Sequence, residues 1–401
     1  MAEPIQIHDM PSGSSSLASG NLKSFLSLGF RPLYIAGCAW SLISIAIWIF
    51  VPTLLTGPLN GVAWHAHEML WGFVATIAVG FLLTASATWT GSNPMQGATL
   101  AWLVVIWSLA RLGYLATPEW TFYVAGALET AFFLLAAHRL MLVVLKSPNR
   151  RNDGLPFLVA GLGVINLLYL IAAHRGDYGV LMQQFNLGLV GMTIVALLIG
   201  RRVIPFFAMR MAPGLNLPML TRSGHWQLMI SVIAILLGMV GQNGLMGYAL
   251  AGAGAIGVYQ LMRWKPFAVL HKPMLWILYL GYGMLAAGLI VASLHFLGLL
   301  AQTIDRPATF VHLIGMGGFG VMIMGMVTRT ALGHLGRALR LDTSMLMSYY
   351  LVLLAVVLRL LALYPSGLTM LALQASALCW IAAMGLYLYR FVPMLIRPRV
   401  D

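Results

Sequence analysis

The stretch WHAHEMLWGFVATIAVGFLLTASATWT (residues 64–90) places two histidines and a glutamate at the start of a run that carries no charge from Met69 to Thr90. A helix of about 20 apolar residues crosses the hydrocarbon core of a bilayer. The whole chain is 60% hydrophobic and 8% charged, and similar apolar runs recur to its C-terminus. Because lipid offers no partner to exposed backbone groups, such runs form helices. The sequence therefore predicts an all-α, polytopic membrane protein.

The apolar runs divide into twelve predicted helices, α1 to α12, separated by short polar breaks. They cover residues 30–55, 63–88, 97–116, 120–145, 155–174, 178–200, 225–242, 244–262, 273–298, 308–329, 345–364 and 367–393. Together they form one predicted domain, residues 30–396, which follows a flexible cytoplasmic tail, residues 1–29. No cleavable signal peptide is expected, because the first apolar run is too long for one.

The positive charges behind the formal net charge of +13 lie mostly on one side of the predicted membrane bundle. Of the 23 Lys and Arg residues, 19 lie in the N-terminal tail, in the loops that follow even-numbered helices and in the C-terminal tail. Loops rich in Lys and Arg stay in the cytoplasm, so we expect a bacterial inner-membrane protein with both termini cytoplasmic. The basic connection after α6, residues 200–224, is expected to lie along the membrane surface or to form a simple loop. The charge thus indicates contact with membrane lipid, and no nucleic acid partner is expected.

This topology places five of the ten histidines in the outer half of the bundle: His65, His67, His174, His295 and His312. His334 follows His312 by 22 residues on α10. At 1.5 Å per residue that separation is roughly 33 Å. His334 is therefore predicted to be structural or to belong to a second site.

A weak internal repeat relates α2 to α10. A shift of 245 residues (312 − 67) aligns His67, Gly72, Gly80 and Gly91 with His312, Gly317, Gly325 and Gly336. The helices that follow, α3 and α11, each carry one arginine near the outer end, Arg111 and Arg359. The pattern favours a bundle built from four-helix pseudo-repeats.

The outer histidines are candidate metal ligands. A charged group inside hydrocarbon costs roughly 2.5–3.5 kcal/mol on insertion scales, so titratable groups there normally have a partner or a function. Neutral imidazole binds haem iron and copper, and a thioether suits copper(I). We expect haem b between His67 on α2 and His312 on α10, with copper ligands among His65, His67, His312 and Met316. Alternatively, His67 and His312 only bridge helices, and Met316 is ordinary apolar filler.

Further candidates surround these histidines. Arg111 and Arg359 are expected to bind the haem propionates, since guanidinium suits carboxylates, although single arginines near helix ends also snorkel to the headgroups. Glu68 could accept a hydrogen bond from a ligating histidine. Glu129, near the middle of α4, belongs to a proton relay or ion site, or is simply neutral and hydrogen bonded. His174 and His295 complete the outer set.

Several stretches resemble the NnrS family of haem- and copper-containing membrane proteins, which take part in nitric oxide metabolism. The matching stretches are GFRPLYIAG (29–37), WHAHEMLWGF (64–73), GFLLTASATWTG (80–91), RRVIPFF (201–207) and HLIGMGGFGVMIMGMVTRTALGHLGR (312–337). The resemblance implies bound haem and copper, nitric oxide as ligand, and protection from nitrosative stress. The histidines that match the motifs are His65, His67, His312 and His334. The departures, Trp71, Ala208 and Leu335, are not candidate ligands.

Three functions remain open. The first is nitric oxide response, binding or detoxification. The second is a redox enzyme like the haem–copper oxidases, which are also twelve-helix bundles with haem between helices 2 and 10. Such a centre needs several histidines on helices 6 and 7, whereas α6 has none and α7 has only His225. The third is a proton-coupled transporter, with Glu129 and the outer histidines as proton or substrate groups. The first two hypotheses include a redox or nitric oxide-processing activity with an unidentified electron donor.

Overall fold

The computed structural model describes residues 20–148 and 150–400, and within them the fold is helical with no strands. Its twelve long helices are α1 Phe30–Phe50, α2 Gly61–Thr90, α3 Gly97–Gly113, α4 Glu119–Lys146, α5 Leu155–Arg175, α6 Tyr178–Met211, α7 Thr221–Met239, α8 Asn243–Arg263, α9 Pro273–Phe296, α10 Pro307–His334, α11 Thr343–Leu361 and α12 Thr369–Leu395. Each predicted helix is present. The prediction of an all-α, polytopic membrane bundle is therefore confirmed.

Ten of these helices are long and apolar enough to cross a membrane. The two exceptions are α3 and α7. The first has only 17 residues, and the second opens with the polar stretch TRSGHWQ. Both still pack against their neighbours in sequence, α3 against α4 and α7 against α8. They complete the bundle without meeting the length and hydropathy of a full span.

Helix α6 extends beyond its predicted end. It continues to Met211 through the stretch RRVIPFF, with Pro205 inside the helix, so the first half of the predicted loop 200–224 is helical and that prediction was wrong. A proline inside a helix removes one backbone hydrogen bond. Val203, Ile204 and Ala208 around it remain buried in the bundle. Their apolar packing explains why the helix does not end at the proline.

Both α2 and α10 contain an eight-residue π-helical segment that begins directly after a histidine. The segments are Glu68–Ala75, after His67, and Leu313–Gly320, after His312. The shift of 245 residues that aligns the two histidines also aligns these segments. Each helix is followed by a glycine with positive φ, Gly91 at 75° and Gly336 at 71°. The internal repeat thus extends from the sequence to the backbone, and π-helical turns of this kind concentrate at functional sites.

Helices α2, α6 and α10 meet at the centre of the bundle. The π-helical segments of α2 and α10 contact each other, and both contact α6. These three helices are also the most deeply buried of the ten long apolar ones. The remaining helices surround them, with α1 packed against α2 and α12, and α9 packed against α10. This arrangement places the start of α2 beside the start of α10.

The predicted N-terminal tail, residues 1–29, falls largely on residues 1–19, which lie outside the described part of the chain. Its last residues are held against the connection between α2 and α3. The carbonyl oxygen of Leu26 accepts a hydrogen bond of 2.8 Å from the backbone N–H of Gly97. The carbonyl oxygen of Ser27 accepts one of 2.9 Å from Asn93 Nδ2. These bonds join the end of the tail to the bundle.

Candidate functional site

A cavity of about 360 Å³ lies between α1, α2, α6, α10, α11 and α12. Its walls are mostly apolar, with Phe185, Phe319 and Trp380 among the aromatic residues that line it. A volume of this order and a largely apolar lining are typical of small-molecule and cofactor sites. The few polar groups on the walls therefore decide what the cavity can bind. They are His65, Tyr178, His312, Arg359 and Ser376.

His65 and His312 face the cavity from α2 and α10. Their ring centroids lie 6.4 Å apart, and their ring planes differ by 20°. The ring of His65 also stacks on Trp48 of α1, with centroids 5.2 Å apart and planes 9° apart. Met69 and Met316 add two thioethers to the same walls. The cavity thus combines two imidazoles and two soft sulfur groups.

The hydrogen bonds of His312 define its tautomer. Its Nδ1 lies 2.7 Å from the carbonyl oxygen of Ala308, so Nδ1 carries the proton and donates. Its Nε2 accepts a hydrogen bond of 3.1 Å from Arg359 Nε, which leaves the lone pair on Nε2. In metalloproteins, a hydrogen bond from one ring nitrogen to a backbone carbonyl, like that of His312 Nδ1, orients a histidine that binds a metal through its other nitrogen.

His65 has a buried ring nitrogen without a protein partner. Within residues 20–148 and 150–400, no hydrogen-bond partner contacts its Nδ1. Buried polar atoms in proteins are almost always paired, so an unpaired ring nitrogen on a histidine that lines the cavity needs an explanation, and a bound ion is one. A metal at His312 Nε2 would take the place of the hydrogen bond from Arg359; with that exchange, the two imidazoles are a donor set that suits a haem iron or a copper ion.

His67 does not line the cavity. Its Nδ1 donates to Glu68 Oε1 over 2.8 Å. Its Nε2 lies 3.0 Å from Glu129 Oε2 and 2.9 Å from Asn166 Oδ1, and both of these oxygens accept. Neither nitrogen keeps a lone pair free for a metal. The structure therefore brings His65, and not His67, to the place opposite His312.

Four ionisable side chains on α2, α3 and α4 form what we call the buried ion cluster. Its members are His67, Glu68, Arg111 and Glu129, each no more than 1% exposed. The guanidinium of Arg111 lies 2.7 Å from Glu68 Oε2 and also pairs with Glu129. With a proton on each nitrogen of His67, two cations face two carboxylates. The charges in the cluster therefore balance, which is the usual condition for burying ionised groups.

Neutral side chains complete the hydrogen bonds of the cluster. Trp40 Nε1 donates to Glu68 over 2.5 Å, and the Tyr114 hydroxyl donates to Glu129 over 2.9 Å. Sequence reasoning did not single out Asn166, although a lone asparagine inside the apolar run of α5 was a visible signal. Both carboxylates of the cluster pair with Arg111, which does not line the cavity. Of the two arginines expected near propionates, Arg359 alone lines the cavity.

The other predicted residues lie elsewhere. His174 contacts the Tyr123 hydroxyl at 3.0 Å on the surface, and His295 Nδ1 lies 2.6 Å from Asp305 Oδ1. His334 packs beside Phe30 at the far end of α10. None of these three histidines lines the cavity. Across the described ranges, no group of three or more His, Cys, Asp or Glu residues is arranged to hold a metal ion.

An apolar helical bundle with a cavity lined by histidines of α2 and α10 defines the class of this chain as a polytopic membrane protein. A comparison with models of protein families matches residues 24–399 to NnrS, described as the NnrS protein. The match covers nearly the whole chain, so the protein belongs to the NnrS family. A search among curated proteins finds no similar protein.

Proposed function

We propose that this protein is a haem- and copper-binding protein of the inner membrane that acts in the nitric oxide response. The observation that carries the proposal is the pair of imidazoles, His65 and His312, on the walls of one apolar cavity. Membership of the NnrS family supports the link to nitric oxide. The distribution of Lys and Arg supports an orientation with both termini in the cytoplasm.

His65 and His312 would hold haem b in the cavity, and Arg359 would pair with a propionate. Arg359 lines the cavity and already contacts His312, and its planar donors suit a carboxylate. When bound there, haem would supply an iron centre able to bind a diatomic gas or to transfer electrons. The apolar walls would keep bulk water away from this iron.

Copper is the second cofactor in the proposal. Thioether sulfur and imidazole nitrogen are the ligands that copper(I) prefers. Met69 and Met316 line the same cavity as the two histidines. The copper candidates are therefore Met69 and Met316, together with either His65 or His312 if that histidine does not bind the haem iron.

The lining of the cavity favours this function over the two alternatives. Helix α6 contributes Met182, Phe185 and Leu189 to the walls, so it offers apolar contact where an oxidase-like reductase centre needs histidines. Glu129, the residue that a transporter would use, is paired with Arg111 and His67 away from the cavity. Ligand binding at His65 and His312 requires neither an α6 histidine nor a free Glu129.

The test is a comparison of visible spectra, oxidised and reduced with dithionite, together with iron and copper content. We expect b-type haem bands in the wild type, and their loss in His65→Ala and in His312→Ala. His295→Ala is the matched control, because His295 lies off the cavity and contacts Asp305. Addition of nitric oxide then reports whether the iron has an open position. A colourless wild type after haem supplementation would refute the haem proposal. Full haem content in both His65→Ala and His312→Ala would show that other residues bind the haem.

A further inference from the structure

Two motif stretches that the proposed function does not use meet where α1 begins and α10 ends. They are GFRPLYIAG (29–37) and TRTALGHLGR (328–337). The ring of Phe30, at the start of α1, lies 5.4 Å from the ring of His334, at the end of α10. The last described residues fold over the same place, since the backbone N–H of Val400 donates to the carbonyl oxygen of Leu335 over 3.0 Å. Three separate parts of the chain therefore build this end of the bundle.

These segments carry three arginines and His334, which we call the arginine cluster: Arg31, His334, Arg337 and Arg399. Arg399 and Arg31 lie close enough to His334 for their charges to act on it, in addition to the larger effect of its burial. A Cβ atom on Gly336 would lie 3.3 Å from Arg399 Nε, so this guanidinium rests against the loop that follows α10. Arg337 belongs to that loop, and its backbone N–H donates to Leu332 over 2.9 Å.

The guanidinium groups of the cluster retain unused donors. Arg31 is 4% exposed, and its NH1 donates to the carbonyl oxygens of Leu395 and Arg397. In the described part of the chain, neither Arg31 Nε nor Arg337 Nε has a hydrogen-bond partner, although both atoms are buried. A buried donor left unpaired destabilises the fold. The arrangement therefore lacks an acceptor.

Acidic side chains of the described residues do not supply that acceptor. Two of them, Asp153 and Asp342, lie at this end of the bundle. Asp153 pairs with Arg150 at 3.8 Å, and Asp342 pairs with Arg390 at 2.6 Å. A bound anion would supply such an acceptor, and the oxygens of a phosphate group match several guanidinium donors at once.

We propose that the arginine cluster binds the phosphate group of an anionic phospholipid. The cluster lies at the end of two apolar helices, α1 and α10, where lipid headgroups meet a membrane protein. Basic pockets between transmembrane helices bind such headgroups on the cytoplasmic side, and this end is cytoplasmic in the orientation proposed above. The inference concerns the opposite end of α10 from the cavity, so it does not depend on haem or copper.

The experiment uses the full-length protein in detergent and phosphatidylglycerol as the probe. Bound lipid is counted by native mass spectrometry as phosphatidylglycerol is added, for the wild type and for Arg337→Gln/Arg399→Gln. The control, Arg222→Gln/Arg263→Gln, removes two positive charges from the same end of the bundle outside the cluster. Size-exclusion profiles and thermal unfolding show that each variant is folded. Phosphatidylethanolamine and inorganic phosphate are the comparison ligands.

We expect the cluster variant to bind phosphatidylglycerol about thirtyfold more weakly than the wild type, because each Arg near a membrane surface contributes about 1 kcal/mol. The control variant should bind like the wild type, and phosphatidylethanolamine should bind more weakly to all three. Equal phosphatidylglycerol binding by the wild type and the cluster variant would overturn the proposal. An equal loss in the control would also overturn it, as would displacement of phosphatidylglycerol by inorganic phosphate.

Discussion

His65 and His312 line one cavity with their ring centroids 6.4 Å apart, although they lie on two helices, α2 and α10, that are far apart in the sequence. His67, two residues after His65, points into the buried ion cluster instead. Two positions along a helix correspond to a rotation of about 200°. The two histidines of WHAHEML therefore point in different directions: His65 lines the cavity, and His67 belongs to the buried ion cluster.

Glu129→Gln should strongly destabilise the protein. The substitution leaves Arg111 and His67 buried with one carboxylate, and breaking a buried ion pair from one side costs about 3–5 kcal/mol. The measurement is the free energy of unfolding in mixed micelles by denaturant titration. Glu119→Gln is the matched control on the same helix, because Glu119 is exposed and pairs with His174 over 3.7 Å. A loss no larger than that of the control would show that the cluster does not carry the charges assigned to it.

Gly72→Ala should disturb the ion cluster through its volume alone. A Cβ atom there would lie 2.6 Å from Glu68 Oε2 and 2.8 Å from Arg111 NH1. Overpacking of this kind costs roughly 1–3 kcal/mol. Gly161→Ala is the control, since a Cβ on Gly161 meets nothing within 4 Å, and alanine favours helix by roughly 0.5–1 kcal/mol. Unfolding in micelles measures both, and equal stability of the two variants would contradict the packing described here.

Gly315→Leu should fill the cavity and lower the haem content without unfolding the protein. Gly315 lines the cavity, and a Cβ built on it meets nothing within 4 Å. The added side chain therefore has room to enter the space between His65 and His312 without displacing backbone. The haem-to-protein ratio after purification is the readout, with Gly161→Leu as the control. Normal haem content in Gly315→Leu would place the haem outside this cavity.

The Asp342 carboxylate should make stability depend on pH. Partial burial by itself raises its pKa, but hydrogen bonds from Ser344 and from the N–H of Met345, together with Arg390, give a net lowering of the pKa below its usual 3.8. The lowered pKa means that ionised Asp342 stabilises the fold above its unfolded pKa. This contribution is lost as the pH falls through the folded pKa.

Asp342→Asn isolates that charge, because asparagine caps a helix about as well as aspartate. We expect the variant to be less stable than the wild type near neutral pH, with the difference vanishing once the pH falls below the folded pKa of Asp342. Thermal unfolding in detergent from about pH 3 to about pH 7 measures it. A difference that is independent of pH would attribute the effect to the cap and not to the charge.

The sequence predicted the helices well because a single physical rule governs them. Apolar runs of the length needed to cross a bilayer must be helical, and all twelve predicted helices are present. The prediction from sequence placed the end of α6 too early and missed its extension through Pro205. Local rules treat proline as a helix end, whereas the burial of Val203 and Ile204 is a tertiary effect.

The sequence by itself determined the all-helical membrane fold, the family resemblance and the repeat that links His67 to His312. Only the tertiary structure decided which histidine faces which partner. Helical rotation separates His65 from His67, and the packing of α4 and α5 brings Glu129 and Asn166 to His67. The packing of α10 and α11 brings His312 and Arg359 to the cavity. Such contacts join residues distant in the chain, so periodicity and spacing along one segment do not encode them.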